Sequence, residues 1–447
     1  MKVCIIGLGP AGLFATKKLI DSGIEVIAID KGKMPKERSK KEIVSGVGGA
    51  GLFSDGKLNF TPFIGGDLTE FVPLSKANSL IDEIDKIFQE YGLSNGFITY
   101  DEAEINKIDS LAAKSGIRLI KAKQKHFGSD NLVKLIDAFV TDLISKGAEI
   151  RPNTEAIDLI IKNNKVVEII TNTGNIKADN FIFAVGRNGS VWLKNITKKH
   201  NIETKALAVD IGVRVETSAI ITKQITDKIY DPKLHIFTTT FDDFVRTFCT
   251  NPNGYVVQET YDNFINVNGH AFANKKSENT NFALLVNVKL TDPIEDSNSF
   301  GYKIGELANF LGTGKPILQR LGDLTKGRRS TWERINRNIV EPTLKDVVPG
   351  DISLLLPHRI LVNIIEGLKK LDTIMPGIYS EHTLLYAPEI KLLALRILTE
   401  QGLKVKGFDN LFVAGDGAGL SHDIVNAAAT GLICAEEIIK KNKYKLT

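Results

Sequence analysis

The chain has 447 residues, 43% of them apolar and 25% charged, and a net charge of +4 at neutral pH. That make-up belongs to a globular protein of two to three domains and excludes collagen-like, disulfide-dense and intrinsically disordered classes. No apolar run approaches the roughly 18 residues of a membrane span, and the balanced charge lacks the concentrated basic stripe of a nucleic-acid surface.

The first thirty residues carry the strongest local signal. Val3 to Ile6 is an unbroken run of β-formers, as in a strand buried on both faces. Gly7-Leu8-Gly9-Pro10-Ala11-Gly12 follows, then helical spacing from Leu13 to Ile20, then a second apolar run, Glu25 to Ile29, that ends in Asp30. This is a βαβ unit with GxGxxG at its first turn. The first glycine permits the tight turn, the second lets a pyrophosphate approach the backbone, and the third lets helix and strand pack closely. The helix start then offers unpaired N–H groups and a favourable dipole to the phosphates. Asp30, with Lys31 beside it, follows Gly12 by 18 residues and is expected to accept from a ribose hydroxyl. An acid there disfavours a 2′-phosphate, so NADP is not expected in this site.

The middle of the chain adds a third glycine turn. Ala178 to Val185 is a buried strand, and Ala184-Val185-Gly186 closes it. Before it, Ala156–Lys162 and Lys165–Thr171 read as antiparallel strands joined at Asn163-Asn164, with a further turn at Thr173-Gly174-Asn175. Near the C-terminus, Asn410 to Ala414 is another buried strand, followed by Gly415-Asp416-Gly417-Ala418-Gly419 and a helix from about Ile424 to Lys441.

A strand, a Gly-Asp loop and a helix at the far end of the chain resemble the second flavin-binding motif of the FAD oxidoreductases related to glutathione reductase. The resemblance implies FAD as cofactor. It implies that Asp416 holds the ribityl chain, with Gly415 and Gly419 shaping the loop. It also implies that the helix starting at Ile424 and Val425 points its N-terminus at the flavin pyrimidine, where the dipole favours negative charge. The same superfamily closes its FAD domain with an apolar strand and an A-x-G turn, matched by Ala184 and Gly186. A narrower likeness lies in Gly46-Val47-Gly48-Gly49-Ala50-Gly51-Leu52-Phe53-Ser54-Asp55-Gly56-Lys57-Leu58. It is similar to the GGAG-x-FSDGKL loop of a group of microbial FAD-utilising dehydrogenases, and so many glycines imply close backbone approach to a ligand, with Gly49, Ala50 and Gly51 at the contact. His126-Phe127-Gly128-Ser129-Asp130, Leu207 to Glu216, Arg246 to Gly254 and Thr383 to Lys391 resemble other segments of that group. Cys249 is followed by Thr250 and Asn251, where a second cysteine is common in the group.

These pieces predict an α/β fold: a Rossmann-like FAD-binding domain, with a parallel sheet and a β-meander, discontinuous over 1–202 and 376–447. Residues 203–375 form an inserted α+β substrate domain with an antiparallel sheet. Strands are expected at 206–216, 235–240, 244–249, 255–259 and 282–289, helices at 299–311 and 352–371, and an exposed loop over the Asn-, Lys- and Ser-rich 264–281. A second GxGxxG is absent; Gly312-Thr313-Gly314-Lys315 has no strand before it and reads as a turn. Disulfide reductases with two nucleotide domains are thereby excluded. The flavin would be reduced by a partner protein, by transient NAD(P)H binding or by a small-molecule substrate.

Candidate catalytic groups are His422 and Asp423, at the start of the last helix, and Lys57, at the end of the glycine-rich loop. His422 would donate or orient a proton; Asp423 would do the same or simply cap the helix. Lys57 would favour an anionic reduced flavin, or pair with Asp55 or a phosphate. Glu381, His382, Tyr386, Glu389 and Lys391 are further substrate-face candidates. Histidines and acids show no metal-ligand spacing, so no metal is expected. The three cysteines, Cys4, Cys249 and Cys434, lack a CxxC pattern and fit a reducing compartment. Gly7, Gly9 and Pro10 break any signal-peptide core, so the expected location is the cytoplasm. The expected activity is hydride transfer between flavin N5 and an organic substrate. A flavin-dependent hydroxylase, or an FAD-binding subunit such as a tRNA-modification partner, is the alternative.

Overall fold

The computed structural model describes the chain except residues 39–44, 54–55, 94–95, 98–100, 127–128, 261–263, 273–274, 292–295, 393–394 and 447. The side chains of Leu52, Phe53, Lys57, His126, Ser129, Asp130 and residues 443–446 also lie outside the description. The chain forms two units: Met1–Ile98, Ala122–Ala206 and Ala394–Thr447 make the first, Thr99–Lys121 and Leu207–Leu393 the second.

The first unit is built on a five-stranded parallel sheet. Its spatial order is Leu411–Val413, Asn180–Phe183, β1 (Lys2–Ile6), β2 (Glu25–Ile29) and Glu149–Arg151. Val3 sits opposite Val26 on one side and Asn180 on the other. Both faces are covered, so β1 is apolar without alternation: Val3, Cys4 and Ile5 are fully buried. Each such side chain contributes about 1.5–3 kcal/mol by leaving water. Helix α1 (Pro10–Ile20) packs through Phe14, whose ring meets Phe88 at 5.0 Å and Phe139 at 5.3 Å, both edge-on. These contacts pin α1 to the helices Leu74–Glu90 and Ser129–Ser145. The C-terminal helix, Ile424–Leu446, crosses α1 so closely that a Cβ at Gly431 would overlap the Ala11 carbonyl oxygen. The predicted meander is present as Ala156–Lys162, Lys165–Thr171 and Ile176–Lys177. Asn163 and Asn164 both take positive φ at its first turn, 49° and 60°, which Asn tolerates and a tight hairpin requires.

The second unit is an eight-stranded sheet, mostly antiparallel, with Leu384–Lys391, Val209–Ser218, Asn279–Val288 and Phe244–Asn251 at its centre. Val209–Ser218 alternates polar and apolar residues. One face, with Ile211, Val213 and Val215, joins Leu284, Val286 and the helix His358–Asp372 in an apolar core. The other face carries Asp210, Arg214 and Glu216, yet all three are buried. Arg214 donates to Glu389 Oε1 at 3.2 Å, to Asn281 Oδ1 at 2.9 Å and to the Cys249 carbonyl at 2.8 Å. Glu216 accepts from the Tyr386 hydroxyl at 2.5 Å and from Thr343. Gly269 lies against this network; a Cβ there would overlap the Arg214 guanidinium.

Three expectations are corrected. Segment 264–281 is not one exposed loop: Ile265–His270 is a strand paired with Tyr255–Thr260, and Asn279 begins another. Asn266, read as a loop residue, accepts from the Ile390 backbone N–H at 2.7 Å and is fully buried. The helix expected at 352–371 begins only at His358, because Pro357 cannot continue a helix from Ile352–Leu354. The second unit does not end at 375: Leu384–Lys391 pairs on both sides with its strands, so the chain returns to the first unit only at 394, and Ile117–Ile120 is taken in as an edge strand. Among the described residues no helix is long and apolar enough to cross a membrane, and no group of His, Cys, Asp and Glu is arranged to hold a metal ion.

Candidate functional site

The glycine fingerprint forms at the carboxyl end of β1. Gly7 has φ +97° and donates to the Ile29 carbonyl at 2.8 Å, tying the turn to β2. A Cβ at Gly7 would stand 2.6 Å from the Ala184 carbonyl oxygen, and one at Gly12 would overlap the Gly7 carbonyl. Those two glycines are required by the chain's own packing. Gly9 is different. It has φ −73°, which any residue adopts, and its Cβ would meet only Gly49 Cα, at 3.7 Å. Gly9 is the N-cap of α1 with no capping side chain, and Pro10 follows at the first position. The first-turn amides of Ala11 and Gly12 have no intrahelical acceptor by position.

Gly186, at the end of Asn180–Phe183, repeats the pattern. Its φ is −80° and nothing stands within 4 Å of a Cβ placed on it. Among the described residues, a Cβ on Gly186 would thus meet nothing within 4 Å, and one on Gly9, at the neighbouring strand end, would touch only Gly49 Cα. Both border the point where the strand order turns outward in two directions from β1, the usual ligand crevice of an open α/β sheet. Ala184 fixes this end by donating to the Ile6 carbonyl at 2.8 Å.

Asp30 is almost fully buried. Its Oδ2 accepts from the Leu8 N–H and its Oδ1 from the Gly32 N–H, both at 2.9 Å. Burial raises its pKa, and the two backbone donors, with Arg38 and Lys31, oppose that rise. The carboxylate therefore organises the fingerprint loop first; each oxygen has one further lone pair for a ribose hydroxyl. Lys31 is exposed and reaches the Asn188 carbonyl at 3.5 Å.

The glycine-rich loop is held by a residue the motif reading missed. Buried Arg38 donates to the carbonyls of Gly46, Val47 and Gly49 at 3.3, 2.9 and 2.9 Å. Gly48 N–H bonds the Leu8 carbonyl at 2.8 Å, and a Cβ on Gly49 would be 3.0 Å from Gly9 Cα, so this loop lies directly on the fingerprint. Ala50 and Gly51 follow, and Gly51 faces Ile424, whose Cγ1 would be 3.1 Å from a Cβ there. Ser54 and Asp55 lie outside the described residues, as does the Lys57 side chain; its backbone opens the strand Lys57–Phe60, opposite His126.

The Gly-Asp loop completes the crevice. Gly415 has φ +78° and donates to Thr430 Oγ1 at 2.9 Å; Gly419 has φ +71°. Gly417 N–H bonds the Val185 carbonyl at 2.9 Å, placing this loop beside Gly186. Asp416 accepts from buried Ser421 at 2.9 Å and faces Arg187 Nε at 3.4 Å. Residues 62–66 are tied onto the start of the C-terminal helix: His422 N–H donates to Gly65 O at 2.6 Å, and Asn426 Nδ2 to Ile64 O at 2.6 Å. Asp423 Oδ1 accepts from Asn426 N–H at 2.7 Å, so this carboxylate caps the helix. His422 is half-buried beside it, Ile424 is partly buried, and Val425 is fully buried.

The structure thus gathers Gly7 to Gly12, Asp30, Gly49 to Gly51, Ala184, Gly186, Gly415 to Gly419 and His422 to Val425 within the first unit. The candidates from 381–391 belong to the second unit. Tyr386 and Glu389 are locked inside the second unit's polar network, and His382 pairs with Asn338 at 2.8 Å. Thr430 and Asn426 carried a signal that spacing could have revealed: two polar residues four apart in an alanine run share one helix face. The clear space at Gly9 and Gly186, the uncapped start of α1, and Asp416 at the next loop suit a dinucleotide that carries a ribityl chain.

A family model described as "FAD-dependent protein, C-terminal domain-like" matches residues 208–391, most of the second unit. An uncharacterised protein of Clostridium beijerinckii is 26% identical over 476 residues, 98% of this chain and 80% of that one. Among solved structures, L-proline dehydrogenase from P. horikoshii is 14% identical with a TM-score of 0.41, covering 98% of this chain and 93% of that one. Glycine oxidase from Bacillus cereus is 14% identical with a TM-score of 0.41, covering 99% and 95%. The family description and the crevice name the same cofactor, FAD.

Proposed function

We propose that this chain is an FAD-dependent oxidoreductase of the dehydrogenase or reductase type acting on an organic substrate, akin to the microbial FAD-utilising dehydrogenases its glycine-rich loop resembles. The observation that carries the reading is the pair of glycines, Gly9 and Gly186, that hold open a crevice beside an uncapped helix start. FAD, when bound, supplies the two-electron chemistry by exchanging a hydride with the substrate. The chain's own residues bind and orient it. The amides of Ala11 and Gly12 take the pyrophosphate, Asp30 the adenosine ribose, and Asp416 the ribityl hydroxyls. The start of the C-terminal helix, at Ile424 and Val425, favours negative charge on the flavin pyrimidine. His422 holds or moves the proton that accompanies the hydride, and Lys57 adds a cation at the end of the glycine-rich loop. Electrons come from the substrate, from NAD(P)H or from a redox partner. The three free cysteines accord with a reducing compartment such as the cytoplasm.

The test is an absorbance spectrum of the purified protein, followed by anaerobic titration with NADH, NADPH and a panel of organic donors. A flavin band that bleaches with one of them supports the reading and names the donor. A protein that holds no flavin, even after reconstitution, sinks it. Replacing His422 with Ala should slow flavin reduction by about 10²–10⁴-fold, the usual yield of general acid–base catalysis, and change its pH profile. An unchanged rate at every pH removes His422 from the chemistry.

A further inference from the structure

Arg187 borders the Gly-Asp loop. It opens the short turn Arg187–Gly189, directly after Gly186. Its side chain is 57% exposed, and both of its contacts lie at the outer limit of hydrogen bonding: Nε is 3.4 Å from Asp416 Oδ2, and Nη2 is 3.5 Å from the His422 carbonyl. Among the described side chains, Arg38 and Lys31 also border these loops. Arg38 is buried and bonds the carbonyls of Gly46, Val47 and Gly49. Lys31 extends toward the Asn188 carbonyl, on Arg187's own turn. Of these, Arg187 combines exposure, loose contacts and a position beside the space kept clear at Gly186.

A dinucleotide's pyrophosphate brings two negative charges to the crevice at neutral pH. The start of α1 offers the equivalent of roughly half a positive charge. The carboxylates that border the site, Asp30 and Asp416, add negative charge. Arg187 adds to the positive charge that Arg38 and Lys31 bring to these loops, and a guanidinium matches phosphate oxygens with two parallel N–H donors.

We propose that Arg187 clamps the pyrophosphate of the bound cofactor, and that it exchanges Asp416 for phosphate when the cofactor arrives. Asp416 is then released to accept from the ribityl hydroxyls, so one ion pair guards two subsites until both are filled. This rests on the FAD reading above.

The test measures FAD affinity by flavin fluorescence on the full chain freed of bound flavin, at 50 mM and 500 mM KCl (~14 Å and ~4 Å screening lengths). Arg187→Gln should weaken FAD binding roughly 10- to 100-fold at low salt, the worth of a charge-assisted hydrogen bond, and the deficit should shrink at high salt. Arg187→Lys should recover part of the loss, because it keeps the charge without the fork. In an Asp416→Asn background, Arg187→Gln should still weaken binding. If the loss disappears in that background, Arg187 only neutralises Asp416 and the clamp is wrong. An equal loss at both salt concentrations, or no loss, overturns it as well. Failure of the unsubstituted chain to bind FAD at either salt concentration refutes the FAD reading instead.

Discussion

The two units solve the same problem, a buried sheet, with opposite materials. In the first, β1 and its neighbours are apolar on both faces, and at the strand end the Asp30 carboxylate accepts from backbone amides. In the second, the central strand Val209–Ser218 buries a row of charged side chains on one face, and these satisfy one another: Arg214 with Glu389 and Asn281, Glu216 with Tyr386 and Thr343, Asp210 with Arg246. The first arrangement leaves main-chain donors facing outward, free for a ligand. The second pairs its buried charges with one another.

That contrast breaks most visibly at Arg214. Arg214→Ala leaves Glu389 buried beside Lys391 alone, which lies 3.2 Å away. The expected loss is about 3–5 kcal/mol, as for one partner removed from a buried pair. Urea unfolding checks it; a loss below 1 kcal/mol would mean that the network tolerates water. In the first unit the sensitive positions are glycines. Gly12→Ala drives a Cβ into the Gly7 carbonyl, between two backbones that cannot yield, and should cost about 3 kcal/mol or more. Gly9→Ala meets nothing closer than 3.7 Å, so its stability should stay within about 0.5 kcal/mol of the parent. Its FAD affinity, measured by fluorescence, should nonetheless fall at least tenfold. Equal affinity would show that the space at Gly9 is not the cofactor's.

A further expected effect concerns pH. Burial, with Arg246, Arg118 and Lys233 nearby and Asp210 opposing, pulls His235 down from 6.5 to about 4. The folded protein keeps this ring neutral where the unfolded chain would protonate it. Its contribution is therefore fully present above pH 6.5 and declines as pH falls from 6.5 to 4. Melting temperatures across that window should drop, and His235→Gln should flatten part of the slope. A variant with the parent's slope assigns the pH dependence to other groups.

The difference between the units also decides what could be read in advance. The fingerprint from Gly7 to Asp30, the turn at Gly186 and the loop at Gly415 to Gly419 were legible because close backbone approach demands glycine, and glycine spacing survives in one dimension. The meander was legible because Asn163-Asn164 is a turn signal in itself. The second unit misled at 264–281, read as an exposed loop; its strand Ile265–His270 pairs with Tyr255–Thr260 and places Gly269 against buried Arg214. Arg38 escaped notice because its three acceptors are main-chain carbonyls, and a carbonyl has no letter in a sequence. Asp423 was ambiguous for the reason capping residues always are: the same carboxylate serves a helix end or a proton, and only the folded chain shows the Asn426 amide that it accepts from.

The crossing of the first and last helices at Gly431 and Ala11 has a temporal side. Strand Asn180–Phe183 has Leu411–Val413 as one of its two neighbours, 228 residues further on, counted from Phe183 to Leu411. At about 5–20 residues per second on the ribosome, that edge waits on the order of 10–45 s for its partner. Through that interval a nascent chain exposes an apolar strand edge, the kind that recruits other strands and leads to aggregation. Production of this protein should therefore depend on chaperone supply and translation speed more than its finished stability suggests, and truncations near the C-terminus should be lost from cells well before they reach the cofactor.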